Sequence, residues 1–406
     1  MNVMKKQKWS KSRHHIFKWG LQAYFQPYTA IKYGFSFKPF KDVRNRPYLF
    51  LTNHQTTMDQ FMFSMCFPKA VYSVATEDIF SIPLASAVIK WAVAPIPFIK
   101  SQKNVSTILT CKRIVKEGGS ILMQPEGNRT YSGQTEYINP AVAKLAKMLK
   151  IPIGFMVLHG GYGVRPRWSK APRKGKSFCQ VEEVLEYEQY KDWTDVQLYD
   201  YICKKLYVDE SCDGQKFYSK HLAEYVERAI YYCPKCGITH FWSKGDKFKC
   251  TTCGMEMVYH PDKQITLSNG QPAPYPNVKE WINGQNEYVQ GLKIESCDTP
   301  VISDVASFYL TKLYKRKVLL NKDAKLDLYL DKLVVTKQDK VQTFSFLDDV
   351  TAMVAMGQNK LGITTKDNTY QIKGDVRFNP VKYVNLYYHF VAQNQKPKPT
   401  KEFLGF

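Results

Sequence analysis

Apolar runs alternate with helical periodicities over the first half of the chain. Residues 48–52 are a short β-favouring run ending at the turn residue Asn53, and Phe61, Met62 and Met65 beyond it suit a helix. A helical pattern over 105–115, marked by Val105, Ile108 and Leu109, stops at Gly118-Gly119, where 120–124 begins another buried strand. Asn139-Pro140 opens a further helix with Val142, Leu145 and Leu149 on one face, because Asn caps and Pro suits the first helical position. A third apolar strand, 151–158, follows. Helix and strand alternating with short joins predict an α/β domain.

The second half changes character. Residues 325–335 alternate apolar and polar, and short runs recur at 343–346, 351–356, 360–364 and 369–372. Asn379-Pro380 then starts a closing helix with Val381, Val384, Tyr388 and Val391 inward. Short antiparallel strands sealed by a helix predict a mostly β, barrel-like C-terminal module, which by pattern resembles a pleckstrin-homology domain. Gln271-Pro-Ala-Pro-Tyr-Pro276 reads as linker. The expected organisation is an arm at 1–46, an α/β domain at 47–215, a metal ribbon at 228–260, a linker at 261–300 and the β module at 301–395.

The candidate chemistry lies at two strand ends. His54 precedes Asp59 by five residues, and on one continuous helix such residues point apart. They meet only if a turn intervenes, with His54 at the strand exit and Asp59 in the helix's opening turn. There the carboxylate accepts from one ring nitrogen and leaves the other free as a base. The strand at 120–124 runs into Pro125-Glu126-Gly127-Asn128-Arg129-Thr130. Gly127 allows close backbone approach to a ligand, and the Arg129 fork suits a phosphate.

Asn53-His54-Gln-Thr-Thr-Met-Asp59 followed about seventy residues later by Pro125–Thr130 resembles the glycerolipid acyltransferase family, which includes 1-acylglycerol-3-phosphate acyltransferases. The family's marks are an Asn-His-x4-Asp block and a Pro-Glu-Gly-Thr-Arg-Ser block. Ile151-Pro152-Ile153 is similar to its fourth block and Arg173-Lys-Gly-Lys-Ser-Phe178 to its late Gly-Lys segment. The family's second block carries an Arg after an apolar Phe-Ile pair; this chain has Ser101 there, with Lys100 and Lys103 beside it to supply the charge. The resemblance implies transfer of a fatty acyl group from a thioester, acyl-CoA or acyl-carrier protein, to the free hydroxyl of lysophosphatidic acid in phospholipid synthesis. Glycerol 3-phosphate and lysophospholipids are the alternative acceptors. His54 would be the base and Asp59 its holder, while Glu126 and Arg129 would bind the acceptor phosphate with Gly127 giving access. No catalytic cofactor is implied.

Cys233, Cys236, Cys250 and Cys253 form C-x2-C-x13-C-x2-C with a Gly after each pair, the spacing of a structural zinc ribbon with four thiolate ligands. The other cysteines of the ten are scattered, which favours a reducing, cytoplasmic compartment over a disulfide framework. A formal net charge of +22 calls for an anionic partner, membrane lipid or nucleic acid. The densest basic stretches, 5–46 and the loop holding Arg165, Arg167, Trp168, Lys170, Arg173, Lys174 and Lys176, flank the His54 and Glu126 loops rather than the ribbon, so an anionic membrane surface is expected and nucleic acid is not. The arm lacks a signal peptide's apolar core. It predicts a helix with Phe17, Leu21, Tyr24 and Tyr28 on one face and Lys11, His15, Lys18 and Gln22 on the next, lying peripherally on the cytoplasmic side of the membrane or capping the core. Residues 79–99 come closest to a membrane span, but Lys90 and three prolines make a buried helix and strand the expectation.

Overall fold

A computed structural model of the chain describes residues 8–41, 44–76, 83–98, 105–293, 298–311, 316–337 and 340–394. It divides into two compact units. The first comprises Met1–Arg129, Ile138–Val164 and Lys176–Val208. Its elements are α1 (Ser12–Tyr33), β1 (Phe35–Phe37), β2 (Leu49–Thr52), α2 (Asp59–Met65), β3 (Val71–Thr76), α3 (Pro83–Ala92), β4 (Ile96–Phe98), α4 (Val105–Lys116), β5 (Ser120–Met123), α5 (Ala141–Leu149), β6 (Ile153–His159), α6 (Gly161–Val164), β7 (Ser177–Leu185), α7 (Tyr187–Tyr190) and α8 (Asp195–Leu206).

Among the described residues the strand order is β1-β7-β6-β2-β5-β3-β4. β2 runs parallel to β5 on one side, Leu51 opposite Met123, and to β6 on the other, Thr52 opposite Met156. All four β2 residues are buried, as a central parallel strand covered on both faces requires. Each fully buried Leu or Ile of this layer, Leu49, Leu51, Ile121 and Ile153 among them, contributes about 1.5–3 kcal/mol. Parallel pairing places the exits of β2 and β5 at one sheet edge, which brings the His54 and Glu126 loops together. α5 begins where expected, with Asn139 Oδ1 accepting from Ala141 N at 2.9 Å and Val142, Leu145 and Leu149 buried.

Three expectations for this unit change. The α4 core face is Thr107, Cys111 and Ile114, while Val105 and Leu109 are exposed, so the apolar pattern marked the wrong side. The stretch expected as an arm is built into the sheet: β1 pairs parallel with β7, Phe35 opposite Ser177. Helix α1 turns His14, Lys18, Thr29 and Tyr33 inward, stacks Phe25 on Phe61 at 4.1 Å, and exposes Ile16, Trp19, Tyr24 and Ile31. α3 and β4 occupy much of 79–99 as expected, although Val88 and Trp91 lie exposed. No helix among the described residues is long and apolar enough to cross a membrane.

The second unit comprises Thr130–Tyr137, Arg165–Gly175 and Asp209–Phe406. It contains β8 (Tyr232–Cys233), β9 (Gly237–Ile238), β10 (Phe241–Lys244), β11 (Lys247–Cys250), β12 (Glu256–Tyr259), β13 (Ile265–Leu267), α9 (Val278–Gly291), β14 (Ile302–Thr311), β15 (Val318–Leu328), β16 (Lys332–Lys337), β17 (Lys340–Ser345), β18 (Val350–Met356), β19 (Lys360–Thr365), β20 (Thr369–Lys373) and α10 (Val381–Asn394). The ribbon, α9 and the β module share one core, in which Trp168, Trp281, Leu326 and Tyr383 are fully buried. The C-terminal strands pair antiparallel in the order β17-β16-β15-β14-β20-β19-β18, and α10 buries Val381, Val384 and Val391, giving the mostly β, helix-sealed module foreseen.

Here too the sequence boundaries shift. The described part of the stretch expected as a linker, 261–293, is structured: β13 extends the ribbon sheet, and Asn277 Oδ1 caps α9 by accepting from Glu280 N at 2.9 Å. The alternation at 325–335 belongs to two strands, the end of β15 and β16, and the turn between them inverts its parity: buried Leu326 and Leu328 lie opposite buried Val335 and Leu333. The 165–176 loop is not a free basic surface. Arg167 is buried and donates to the Ala355 carbonyl at 3.0 Å, and buried Arg173 donates to the Leu222 carbonyl at 2.6 Å, so both guanidinium groups serve as internal hydrogen-bond donors.

Candidate functional site

The His54 loop leaves β2 and is closed by the first residue of α2. Asp59 is fully buried, and its Oδ2 accepts from His54 Nδ1 at 2.9 Å and from the Gln55 amide at 2.7 Å. Its Oδ1 accepts from the Thr56 amide at 2.9 Å and the Thr56 hydroxyl at 2.7 Å. A carboxylate removed from water is thereby resolvated by protein donors. Because Asp59 is an acceptor at Nδ1, the proton sits there, and Nε2 of the part-exposed imidazole carries the lone pair. Sequence reasoning found the pair but missed Thr56, although Thr-x-x-Asp before an apolar run is a helix-start signature.

Other side chains brace the loop. Asn53 Nδ2 donates to the Leu158 carbonyl at 3.0 Å while its Oδ1 accepts from Leu158 N at 2.9 Å, tying the β2 exit to β6. Gln55 Oε1 accepts from Tyr162 N at 3.0 Å. Gln60, next to Asp59, donates from Nε2 to Gln124 Oε1 at 2.5 Å, linking α2 to the residue before Pro125.

The two motif loops meet through Glu126, whose buried carboxylate accepts from the His54 amide at 2.8 Å. Glu126 thereby fixes the backbone of His54. Gly127 has φ of +67°, a left-handed turn geometry that L side chains adopt only with strain. Arg129 follows in the same loop and is part-exposed. Thr130 belongs to the second unit, where its hydroxyl accepts the Ser132 and Gly133 amides at 3.2 and 3.0 Å. Lys100 and Lys103 lie outside the described residues.

The sulfur atoms of Cys233, Cys236, Cys250 and Cys253 lie within 4.8 Å of one another and could hold a metal ion. Cys233 and Cys253 Sγ are 3.7 Å apart, and Cys236 and Cys250 Sγ 3.9 Å. Tetrahedral zinc with bonds of about 2.3 Å separates its sulfurs by roughly 3.8 Å, so the donor set fits that ion. Gly237 and Gly254, with φ of +76° and +73°, supply the left-handed turns after each knuckle. Burial opposes thiolate formation at Cys250, but the Cys253 and Thr252 amides outweigh it and bring the thiol down to about 7. His240 bonds Asp304 and His260 bonds Thr266, and neither joins the cluster.

The region that holds the two loops resembles a known family. The acyltransferase family model matches residues 37–157, which contain both of them. A 1-acyl-sn-glycerol-3-phosphate acyltransferase of Cocos nucifera is 25% identical over 185 residues, 41% of this chain and 55% of that protein. A chloroplastic enzyme of the same name from Brassica napus is 25% identical over 166 residues, 39% of this chain and 46% of that protein. The chain therefore spans about half the length of these curated relatives. The crystal structure of the 1-acyl-sn-glycerophosphate acyltransferase PlsC from Thermotoga maritima aligns with 48% of this chain and 78% of its own, with 17% identity and a TM-score of 0.40.

Proposed function

We propose that this chain, whose residues 37–157 match the acyltransferase family model, moves a fatty acyl group from a thioester to the free hydroxyl of lysophosphatidic acid, yielding phosphatidic acid for phospholipid synthesis. The observation that carries the reading is the 2.9 Å contact of His54 Nδ1 with buried Asp59, in a loop anchored by Glu126 of the other motif block. His54 Nε2 takes the hydroxyl proton as the oxygen attacks the thioester carbonyl. The carbon–sulfur bond then breaks, and the imidazolium returns the proton to the departing thiolate. General-base assistance of this kind is worth ~10²–10⁴-fold. Arg129 holds the acceptor phosphate, and the Gly127 turn brings the backbone close to it. Acyl-CoA and acyl-carrier protein are both donors of the required chemistry.

The four-cysteine cluster holds a structural zinc ion, which would organise the second unit rather than take part in transfer. The acceptor and product are lipids, and the protein works peripherally at the cytoplasmic face of an anionic membrane. Support comes from α1, which exposes Ile16 at 70%, Trp19 at 55% and Ile31 at 79% while burying Lys18, the reverse of a helix that faces water. Trp91 of α3, stacked edge-on with Phe17 at 4.7 Å, extends this face. Trp9 does not belong to it, since its indole donates to the Ala94 carbonyl at 3.1 Å. The apolar share of binding is accordingly larger than the basic composition alone suggests.

Purified protein incubated with labelled acyl-CoA or acyl-carrier protein and a panel of lysophosphatidic acid, glycerol 3-phosphate and lysophospholipids tests the reading. Label should pass to lysophosphatidic acid, and His54→Ala should abolish it while the protein stays folded. Transfer unaffected by His54→Ala would refute the mechanism, and preferential labelling of another acceptor would reassign the substrate. Vesicle co-sedimentation of Trp19→Glu, Trp91→Glu protein should show weakened binding; a truncation at Arg46 is unsuitable, because it removes β1 from the sheet.

A further inference from the structure

Behind the His54 loop lies a pair of thiols that the transfer chemistry leaves unused. Cys66 caps the C-terminal end of α2, and Cys179 sits in β7, between its neighbours Phe37 of β1 and Leu158 of β6. Both residues are buried, 1% and 0% exposed, and their sulfur atoms stand 3.2 Å apart, inside ordinary sulfur–sulfur contact. Buried cysteines are commonly packing residues. Two further observations separate this pair from that role. Lys18, a buried cation on α1, is near enough to Cys66 for the two to interact electrostatically, and among the described residues its ammonium donates to Gln22 Oε1 at 2.6 Å. Cys179 in turn lies within electrostatic reach of Asp59, the residue that holds His54.

These neighbours differentiate the two thiols. Lys18 lies within electrostatic reach of Cys66, and a neighbouring cation is what accompanies the attacking sulfur at reactive cysteines. Burial, with Cys66 and Asp59 adding, pushes the Cys179 thiol well above its ordinary value. Cys66 is thus the attacking sulfur and Cys179 the resolving one.

We propose that Cys66 and Cys179 form a redox modification site at which a hydroperoxide converts the two thiols to a disulfide that clamps α2, and with it the Asp59 end of the site. The Cys66 thiolate attacks the peroxide O–O bond, giving a sulfenic acid and releasing hydroxide, or an alkoxide from an organic hydroperoxide. The Cys179 sulfur then attacks the sulfenic sulfur, a water molecule leaves, and the S–S bond forms. Two thiols and one hydrogen peroxide become one disulfide and two waters. The sulfurs need to close by only about 1 Å to reach the bonded distance of about 2.05 Å. α2 is seven residues long, so the new crosslink lies about 10 Å along the helix axis from Asp59. The consequence for transfer rests on the proposed acyltransferase reading; formation of the disulfide does not.

The test treats full-length, zinc-loaded protein with hydrogen peroxide, quenches with an alkylating reagent and maps peptides by mass spectrometry. The expected result is a crosslinked Cys66–Cys179 peptide with a loss of about 2 Da, reversed by dithiothreitol, and slowed backbone hydrogen exchange over 59–66. In Cys179→Ser protein, Cys66 should stop at a dimedone-reactive sulfenic acid, and Lys18→Met should slow oxidation of the wild-type pair. Transfer should fall in step with the disulfide fraction and recover on reduction. Oxidation confined to exposed Cys212 or the ribbon, with Cys66 and Cys179 alkylated as free thiols, would overturn the site. A crosslink that leaves hydrogen exchange over 59–66 unchanged would overturn the clamp. If no acceptor is acylated at all, mapping and exchange still decide the redox proposal independently.

Discussion

Replacing Asp59 by Asn tests whether this carboxylate serves the base or merely braces a loop. Each oxygen accepts two donors: Oδ2 takes His54 Nδ1 and the Gln55 amide, and Oδ1 takes the Thr56 amide and hydroxyl. Asn keeps one acceptor oxygen. If its NH2 occupies the Oδ2 position, it confronts the Gln55 amide and donates to His54 Nδ1, which drives the imidazole proton to Nε2 and removes the base. If the amide turns over, its NH2 confronts the Thr56 amide instead. Either orientation leaves one buried backbone donor unsatisfied, at about 1–3 kcal/mol. The first also forfeits general-base assistance, so kcat should fall ~10²–10⁴-fold with little change in KM. Single-turnover transfer measures the first effect and urea unfolding the second. Thr56→Val is the control, because it removes one donor to Oδ1 without touching His54. It should cost about 1–2 kcal/mol of stability and leave kcat within roughly tenfold. If Asp59→Asn also stayed within tenfold of wild type while destabilised, Asp59 would be a brace alone and the assignment of His54 as base would lose its support.

Further outcomes follow from other parts of the molecule. Arg129→Ala should raise KM for a phosphate-bearing acceptor far more than for the thioester, measured by varying each substrate in turn; equal effects would remove Arg129 from phosphate recognition. Elemental analysis should find one zinc per chain, and Cys233→Ser should lose the metal and destabilise the second unit while an intact α/β unit persists by hydrogen exchange. Burial, opposed by Thr130, the Tyr131 amide and Arg167, carries Glu136 up to about 7 from an ordinary 4.5. Between those values the folded state binds the proton that the unfolded state has lost, so stability of the second unit should decline as pH rises from about 4.5 to about 7 and then level off. Glu136→Gln should flatten that part of the profile, read by thermal unfolding across the range; an unchanged slope would assign it to other groups.

How much of this was visible in the chain depends on the range of the interaction that decides it. The alternation of strands and helices around β2, β5, α5 and β6 is legible from the residues alone, because apolar period and capping residues act within a few positions of each other. So are the His54–Asp59 contact and the sulfur cluster, since in each the required turns lie inside the motif. What each face meets is set by long-range packing. Helical period marks an apolar side of α1 without saying whether protein or some other apolar phase covers it, and packing turned Lys18 inward and Ile16, Trp19 and Ile31 outward. A run of basic residues at 165–176 looks like surface until Arg167 and Arg173 find backbone carbonyls nearly two hundred and about fifty residues away. That Glu126 also lies under the His54 amide follows only from the parallel pairing of β2 and β5. Cys66 and Cys179, more than a hundred positions apart, become a pair only because β7 inserts between β1 and β6 and α2 ends over it. Local chemistry is written in adjacent residues; partners brought together by sheet order and core packing are not, because no periodicity in a single chain encodes which distant segment will lie opposite.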